Sequence, residues 1–82
     1  MNPDDILRII AKHAHDVIPE LAARQLQRSD TLLDLGANSI DRADIMMATM
    51  ESLDLEVPRV DLFGTRNIGE LVDLFYAKSQ AR

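Results

Sequence analysis

Apolar residues near the start of the chain recur every three or four positions, the spacing of one face of an α-helix. Asn2 can cap such a helix, Pro3 suits its first turn, and Pro19 ends the run. We therefore predict an amphipathic first helix of about four turns that enters a core. Its buried stripe is predicted to consist of Ile6, Leu7, Ile10, Ala14 and Val17.

A connection of mixed character follows from Pro19 to Thr31. Connections of this length are unusual in a compact domain unless they pack or carry function. A further turn or two is possible around Leu21, Ala22, Gln25 and Leu26. We expect the end of the connection to be anchored to the core by Leu32, Leu33 and Leu35.

The next helix is predicted from Ser39 to about Leu53, with Asp54 closing it. It carries two apolar stripes, whereas a single core needs only one. The first stripe is Ile45, Met46, Thr49 and Leu53, and the second is Ile40, Ala43, Met47 and Met50. The second stripe is therefore a candidate partner surface, and the alternative is that both stripes are buried.

The last part of the chain predicts one short helical turn and one final helix. The turn spans Val60 to Gly64, and the spacing of Asn67 and Glu70 is that of a capping box. The final helix should run to about Ala77 and bury Ile68, Leu71, Val72, Leu74 and Phe75. Since no segment alternates with the period of a strand, we predict an all-α fold, a bundle of three main helices plus one short helix.

Charge is distributed unevenly along the 82 residues, whose formal net charge is −5. Six acids and one base, Arg42, lie between Asp34 and Glu56, and the rest of the chain carries eight acids and eight bases. The whole net charge therefore surrounds the predicted second helix. Such a field steers basic partners and argues against nucleic-acid binding.

Other residue types exclude several classes of site. There is no cysteine, which excludes disulfides and thiolate chemistry, and His13 and His15 point to different sides of a helix, so we expect solvated side chains rather than metal ligands. No apolar run is long enough to span a membrane, and the N-terminus is acidic where a signal peptide would be basic. We expect a soluble, cytoplasmic monomer.

Ser39 allows three interpretations. A hydrolase nucleophile normally lies in a Gly-x-Ser-x-Gly elbow after a strand, and neither feature surrounds Ser39. A helix cap is possible, because Asn38 and Ser39 are both good capping residues. The third interpretation is an attachment point for a covalent arm, which needs an exposed serine and a docking surface but no catalytic residues.

The segment Asp34-Leu35-Gly36-Ala37-Asn38-Ser39-Ile40-Asp41 resembles the signature around the modified serine of acyl carrier proteins, with Asn38 where aspartate normally precedes that serine. The resemblance extends from about Asp30 to Ala77 and implies a single carrier domain over residues 1–82, with the four-helix fold of that family. It also implies a non-catalytic protein with 4′-phosphopantetheine on Ser39. The implied docking residues are Ile40, Asp41, Arg42, Ala43, Asp44, Met47, Glu51 and Phe63.

A narrower resemblance is to the free-standing donor carriers of bacterial polyketide β-branching cassettes. It rests on the segments 36–44, 58–64 and 67–71, on Asn38, and on Met46 and Met47 in place of a mid-helix acidic pair. Its implied partners are a phosphopantetheinyl transferase, a malonyl-loading acyltransferase, a decarboxylating ketosynthase-like enzyme and an HMG-CoA-synthase-like enzyme. The alternatives are a carrier for ordinary fatty-acid or polyketide extension, and a small acidic interaction module without a prosthetic group.

Overall fold

The computed structural model describes residues 1–81 and contains four α-helices, with no strand in that part of the chain. The all-α fold predicted from the sequence is confirmed. The helices are α1 (Pro3–Val17), α2 (Ser39–Leu53), α3 (Arg59–Phe63) and α4 (Ile68–Gln80). A 3₁₀ turn, Pro19–Ala23, follows α1, and α1 packs against both α2 and α4.

The start of α1 is fixed by a reciprocal capping box. The Asn2 side chain accepts from the Asp5 N–H at 2.9 Å, and the Asp5 carboxylate accepts from the Asn2 N–H at 3.4 Å. This arrangement satisfies donors that every helix start leaves unpaired. Of the predicted stripe, three residues are completely buried and two are half-buried; the first are Ile6, Ile10 and Ala14, and the second are Leu7 and Val17.

The final helix is longer than its apolar pattern indicates, since it continues to Gln80 rather than Ala77. Leu74 in its predicted buried face is only half-buried, whereas the other four predicted residues are buried. Asn67 accepts from the Glu70 N–H at 2.8 Å as predicted. The reciprocal bond of a capping box, from the Asn67 N–H to the Glu70 carboxylate, was predicted wrongly. The Glu70 carboxylate accepts instead from the Arg66 N–H at 3.1 Å.

The long connection is bound to the start of α4. The Ile68 N–H donates to the Asp30 carbonyl at 2.9 Å, and the Gly69 N–H donates to the Arg28 carbonyl at 2.8 Å. The Arg28 guanidinium also donates to the Asp73 carboxylate at 2.8 Å. These contacts explain why a long connection whose regular structure is one short 3₁₀ turn remains in one place.

Two expectations for buried and solvated positions were wrong. Leu33 is not an anchor, because 61% of it is exposed, while Leu32 is buried and Leu35 half-buried. The two histidines are half-buried rather than solvated. His13 Nε2 lies 2.8 Å from the Ser52 hydroxyl on α2, and the buried Nε2 of His15 has no hydrogen-bond partner within residues 1–81.

Candidate functional site

A tight turn of Schellman geometry leads the chain into α2. The Ala37 N–H donates to the Leu32 carbonyl at 3.0 Å and the Gly36 N–H donates to the Leu33 carbonyl at 3.1 Å. Gly36 has a φ of +102°, a conformation that glycine adopts without steric cost. Burial of Leu32 and Ala37 supplies the apolar contact that accompanies this motif, so the turn is held to the core at both ends.

Asn38, not Ser39, caps α2. The Asn38 side chain accepts from the Asp41 N–H at 2.8 Å, and the Asp41 carboxylate accepts from the Asn38 N–H at 3.3 Å. Ser39 is the first residue of the helix. The interpretation of Ser39 as a cap is therefore wrong, and the side chain is free for another role.

Ser39 is exposed, and its hydroxyl has no hydrogen-bond partner within the described part of the chain. A serine nucleophile needs a hydrogen-bonded base to activate it, and no such base contacts this one. Among residues 1–81 there is also no group of three His, Cys, Asp or Glu side chains that could hold a metal ion. What the geometry offers is an accessible primary alcohol at the positive end of a 15-residue helix.

The two apolar stripes of α2 have different environments. The first stripe is buried as predicted; its members are Ile45, Met46, Thr49 and Leu53. In the second stripe, Ile40 is 72% exposed and Met47 53% exposed, while Ala43 and Met50 are half-buried. The alternative with both stripes in the core is therefore wrong.

The burial of Met46 corrects the expectation that Met46 and Met47 together replace an acidic pair at mid-helix. Met46 is a core residue, only 5% exposed, so it cannot be compared with a surface acid of a related helix. Of these two methionines, only Met47 adds an apolar side chain to the outer surface of α2 at mid-helix. The apolar character of that surface is thus concentrated at one side chain.

Three acids on α2, namely Asp41, Asp44 and Glu51, form no ion pair within residues 1–81. Asp44 and Glu51 are exposed and Asp41 is half-buried. None of the ion pairs within residues 1–81 involves these three carboxylates, and Arg42, the single base of the segment, neutralises none of them through an ion pair. The field predicted from the charge distribution is therefore not cancelled locally.

The short helix α3 adds an apolar flank to α2. Leu62 is its one buried residue, while Val60 is 78% exposed and Phe63 45% exposed. An open groove of about 570 Å³ also lies beside Met47, lined by Met50 and the segment 55–58. Exposed apolar side chains beside an acidic helix are typical of a surface that binds partners.

A second cavity, of about 290 Å³, lies between α2, α3 and the turn before α2. We call it the α2–α3 cleft. It opens beside Leu33 and Phe63. Its walls combine apolar and polar side chains, and they include Leu32, Met46, Leu62, Thr65, Arg66 and Leu71.

Arg42 also lines the α2–α3 cleft, and its Nε is buried without a hydrogen-bond partner within residues 1–81. A buried donor left unpaired costs about 1–3 kcal/mol, and more when the group is charged. From the sequence, Arg42 is predicted only as a docking residue, and no pattern indicates that its Nε is buried. The cleft around it is formed by the segment 31–34, α3, the segment 65–67 and α4.

Comparison with known proteins identifies the family. The model of the family described as "Phosphopantetheine attachment site" matches residues 5–75. The chain is 38% identical over 81 residues to the polyketide biosynthesis acyl-carrier-protein AcpK of Bacillus subtilis, with 99% of both chains covered. It is 27% identical over 78 residues to the acyl carrier protein of Prochlorococcus marinus, covering 95% of this chain and 98% of the relative.

A solved structure matches as well. The crystal structure of the curacin biosynthetic pathway HMG synthase in complex with acetyl donor-ACP contains a chain that aligns with a TM-score of 0.89 and 46% identity. The alignment covers 95% of this chain and all of that one. The fold and the family model agree, so this chain belongs to the acyl carrier proteins, which carry a covalently attached 4′-phosphopantetheine.

The residues of the site fit that group. Its attachment requires an accessible hydroxyl, and the unpartnered hydroxyl of Ser39 meets this requirement. A phosphodiester at the first residue of a helix is also favoured by the helix dipole. The alternative of an interaction module without a prosthetic group is therefore wrong, and no helix within residues 1–81 is long and apolar enough to cross a membrane.

Proposed function

We propose that Ser39 carries the phosphopantetheine arm and that the protein donates acetyl groups to an HMG-CoA-synthase-like enzyme during polyketide β-branching. The observation that carries the first part is the exposed, unpartnered hydroxyl at the start of α2, within the residues matched by the family model. The donor role is supported by 46% identity to the matched chain of the curacin HMG synthase–acetyl donor-ACP complex. The protein itself performs no catalytic step.

The arm supplies a thiol that holds acyl groups as thioesters. The folded chain supplies position: the box between Asn38 and Asp41 fixes the first turn of α2, so the Ser39 hydroxyl is presented to solvent at a constant place. A tether of this kind raises the effective concentration of the acyl group at each partner. Presentation without catalysis is the whole task of the site.

Partner recognition is assigned to two kinds of contact. Asp41, Asp44 and Glu51 attract basic surfaces and raise the rate of encounter. Exposed apolar side chains then supply contact area after encounter; they are Ile40, Met47 and Phe63. Arg42 and Ala43 lie between these groups at the start of α2 and complete the proposed docking residues.

The proposed order of partners follows from the chemistry of the cargo. A phosphopantetheinyl transferase attaches the arm, and a malonyl-loading acyltransferase charges it. A decarboxylating ketosynthase-like enzyme removes carbon dioxide from the malonyl group, so that an acetyl group remains on the arm. The HMG-CoA-synthase-like enzyme then joins that acetyl group to a β-ketoacyl chain held on a different carrier. These steps are expected in the cytoplasm, where coenzyme A is available to the transferase.

The first experiment measures intact mass after incubation with coenzyme A and a phosphopantetheinyl transferase. The parent should gain one arm, and Ser39→Ala should gain none. Ser29→Ala is the matched control, because Ser29 lies outside α2 and should leave loading unchanged. Loading of Ser39→Ala would show that the arm is attached elsewhere.

The second experiment separates the donor role from ordinary chain extension. Acetyl-loaded protein is offered to the HMG-CoA-synthase-like enzyme with a β-ketoacyl carrier, and in parallel to a fatty-acid ketosynthase. The donor role predicts faster transfer to the synthase. Equal or faster transfer to the ketosynthase would favour ordinary extension and overturn the donor assignment.

A further inference from the structure

One donor in the α2–α3 cleft is not explained by the proposed docking contacts. The Nε–H of Arg42 is buried in the cleft and donates to no group within the described residues. Folded proteins pair nearly all buried donors, so an unpaired one in a guanidinium calls for a partner that the folded chain itself does not supply. Asp34 also lines the cleft but forms no ion pair with Arg42.

Few chemical groups can serve as the partner of this donor. A guanidinium has only donors and a fixed positive charge, and its strongest partners are the paired oxygens of a carboxylate or a phosphate. The apolar walls of the cleft, including Leu62 and Phe63, would strengthen such a contact by excluding water. Arg66 lines the same cleft and adds a second positive charge, although Glu70 lies 3.4 Å from it.

The cleft lies close to the proposed attachment point. Ser39 and Arg42 are three positions apart on α2, a spacing that places two side chains on neighbouring parts of one helix face. Side chains of a helix generally lean toward its N-terminus, which is the end of α2 where Ser39 lies. An anion attached through Ser39 would therefore start within one helical turn of Arg42, which lines the cleft.

We propose that Arg42 binds, within the α2–α3 cleft, an anionic group belonging to the arm on Ser39. The inference rests on the proposed function, because it needs the arm at Ser39. The shared chemistry is a pair of anionic oxygens, which could come from the phosphate that joins the arm to Ser39 or from the free carboxylate of a malonyl group. An acetyl group has no such carboxylate, so removal of carbon dioxide would release that second contact.

The test measures the Nε–H group of Arg42 directly. The Nε–H signal of Arg42 is followed by ¹H–¹⁵N NMR in four forms of the parent protein: without the arm, with the arm alone, with acetyl and with malonyl. Binding should shift the signal and slow its exchange with water by about tenfold, as expected for a donor newly held in a charge-assisted bond. Intact mass of each sample verifies the loading.

The four forms distinguish the two sources of the anion. Equal protection in all three arm-bearing forms supports the phosphate, and protection confined to the malonyl form supports the carboxylate. An Nε–H signal that is the same with and without the arm, and with either acyl group, overturns the proposal. If Ser39 accepts no arm at all, the mass measurement shows that the proposed function has failed instead.

Two variants give a second reading at the cleft. In Arg42→Gln, the arm-dependent shifts of the Phe63 and Thr65 backbone amides should be lost. Arg59→Gln is the matched control, since it removes the same charge from an exposed residue of α3 that does not line the cleft. Loss of the shifts in both variants, or in neither, would contradict a specific contact with Arg42.

Discussion

Asn38 and Asp41 cap α2 reciprocally, the first through its side-chain oxygen at 2.8 Å from the Asp41 N–H and the second through its carboxylate at 3.3 Å from the Asn38 N–H. Ser39, the first residue of α2, therefore has no part in capping the helix. Because the cap and the proposed attachment point are different residues, each can be tested alone.

The separation predicts opposite effects of two neighbouring substitutions. Asn38→Ala should lower the free energy of unfolding by about 0.5–2 kcal/mol, because it removes the cap. Ser39→Ala should leave the free energy of unfolding nearly unchanged and abolish loading of the arm. Urea denaturation and intact mass measure the two effects. A large loss of stability in Ser39→Ala would contradict the assignment of the cap to Asn38.

Neutralising the acids of α2 should slow association without unfolding the helix. In the double variant Asp41→Asn and Asp44→Asn, the amide introduced at the third position of the helix keeps an oxygen that can accept in the capping box. We therefore expect a small change in melting temperature, slower loading by the transferase, and a weaker dependence of the loading rate on salt.

The control for that experiment removes the same charge elsewhere. Asp16→Asn with Glu20→Gln neutralises two exposed acids that lie outside the acidic segment and form no ion pair within residues 1–81. Its loading rate should stay close to that of the parent at every salt concentration. Equal slowing in both double variants would mean that net charge, rather than the position of the acids, governs association.

Adjacent residues of α3 should separate stability from recognition. Leu62 is 2% exposed, so Leu62→Ala should cost about 2–5 kcal/mol of unfolding free energy. Phe63 is 45% exposed, so Phe63→Ala should cost much less and should instead slow acetyl transfer to the HMG-CoA-synthase-like enzyme. Thermal unfolding and a transfer assay on acetyl-loaded protein measure both. Unchanged transfer by Phe63→Ala would remove Phe63 from the docking surface.

The turn before Ser39 should depend on its glycine. No atom lies within 4 Å of a methyl group added at Gly36, so the effect of Gly36→Ala is conformational rather than steric. At a φ of +102° an alanine should destabilise the fold by about 1–3 kcal/mol. Gly36→Asn is the matched comparison, because asparagine tolerates positive φ better. Equal melting temperatures for the two variants would contradict this explanation.

Helix boundaries were predictable where side chains fix them. Asn2 with Pro3, Asn38 before Ser39, and Asp54 at the end of α2 all lie at the ends of helices, and in the structure Asp54 adopts a left-handed conformation with φ 53°. The end of α4 was placed too early because the apolar pattern stops at Ala77 while nothing after it breaks a helix. Short polar extensions of this kind leave no signal in the sequence.

Features that depend on tertiary placement were not predictable. Leu33 and Leu32 are identical residues in one loop, and periodicity cannot say which faces the core. The contact between His13 on α1 and Ser52 on α2 joins residues that are 39 positions apart in the sequence. The cleft that Arg42 lines is likewise formed by segments distant in sequence, from the loop before α2 to α4, so neither the cleft nor the unpaired Nε could be inferred from local pattern.

The attachment of α3 by a single buried side chain, Leu62, has a consequence for release. Its remaining tethers are exposed, such as the Lys78–Asp61 pair at 4.0 Å, and exposed pairs of this kind hold little. Since α2 is a 15-residue helix with four buried residues and α3 a five-residue helix with one, we expect α3 to be the more mobile half of the proposed docking face. Ordering α3 at each encounter would cost conformational entropy and so shorten the lifetime of each complex. In the proposed cycle the protein meets four enzymes in turn, so faster release from each one would raise the rate of the whole cycle.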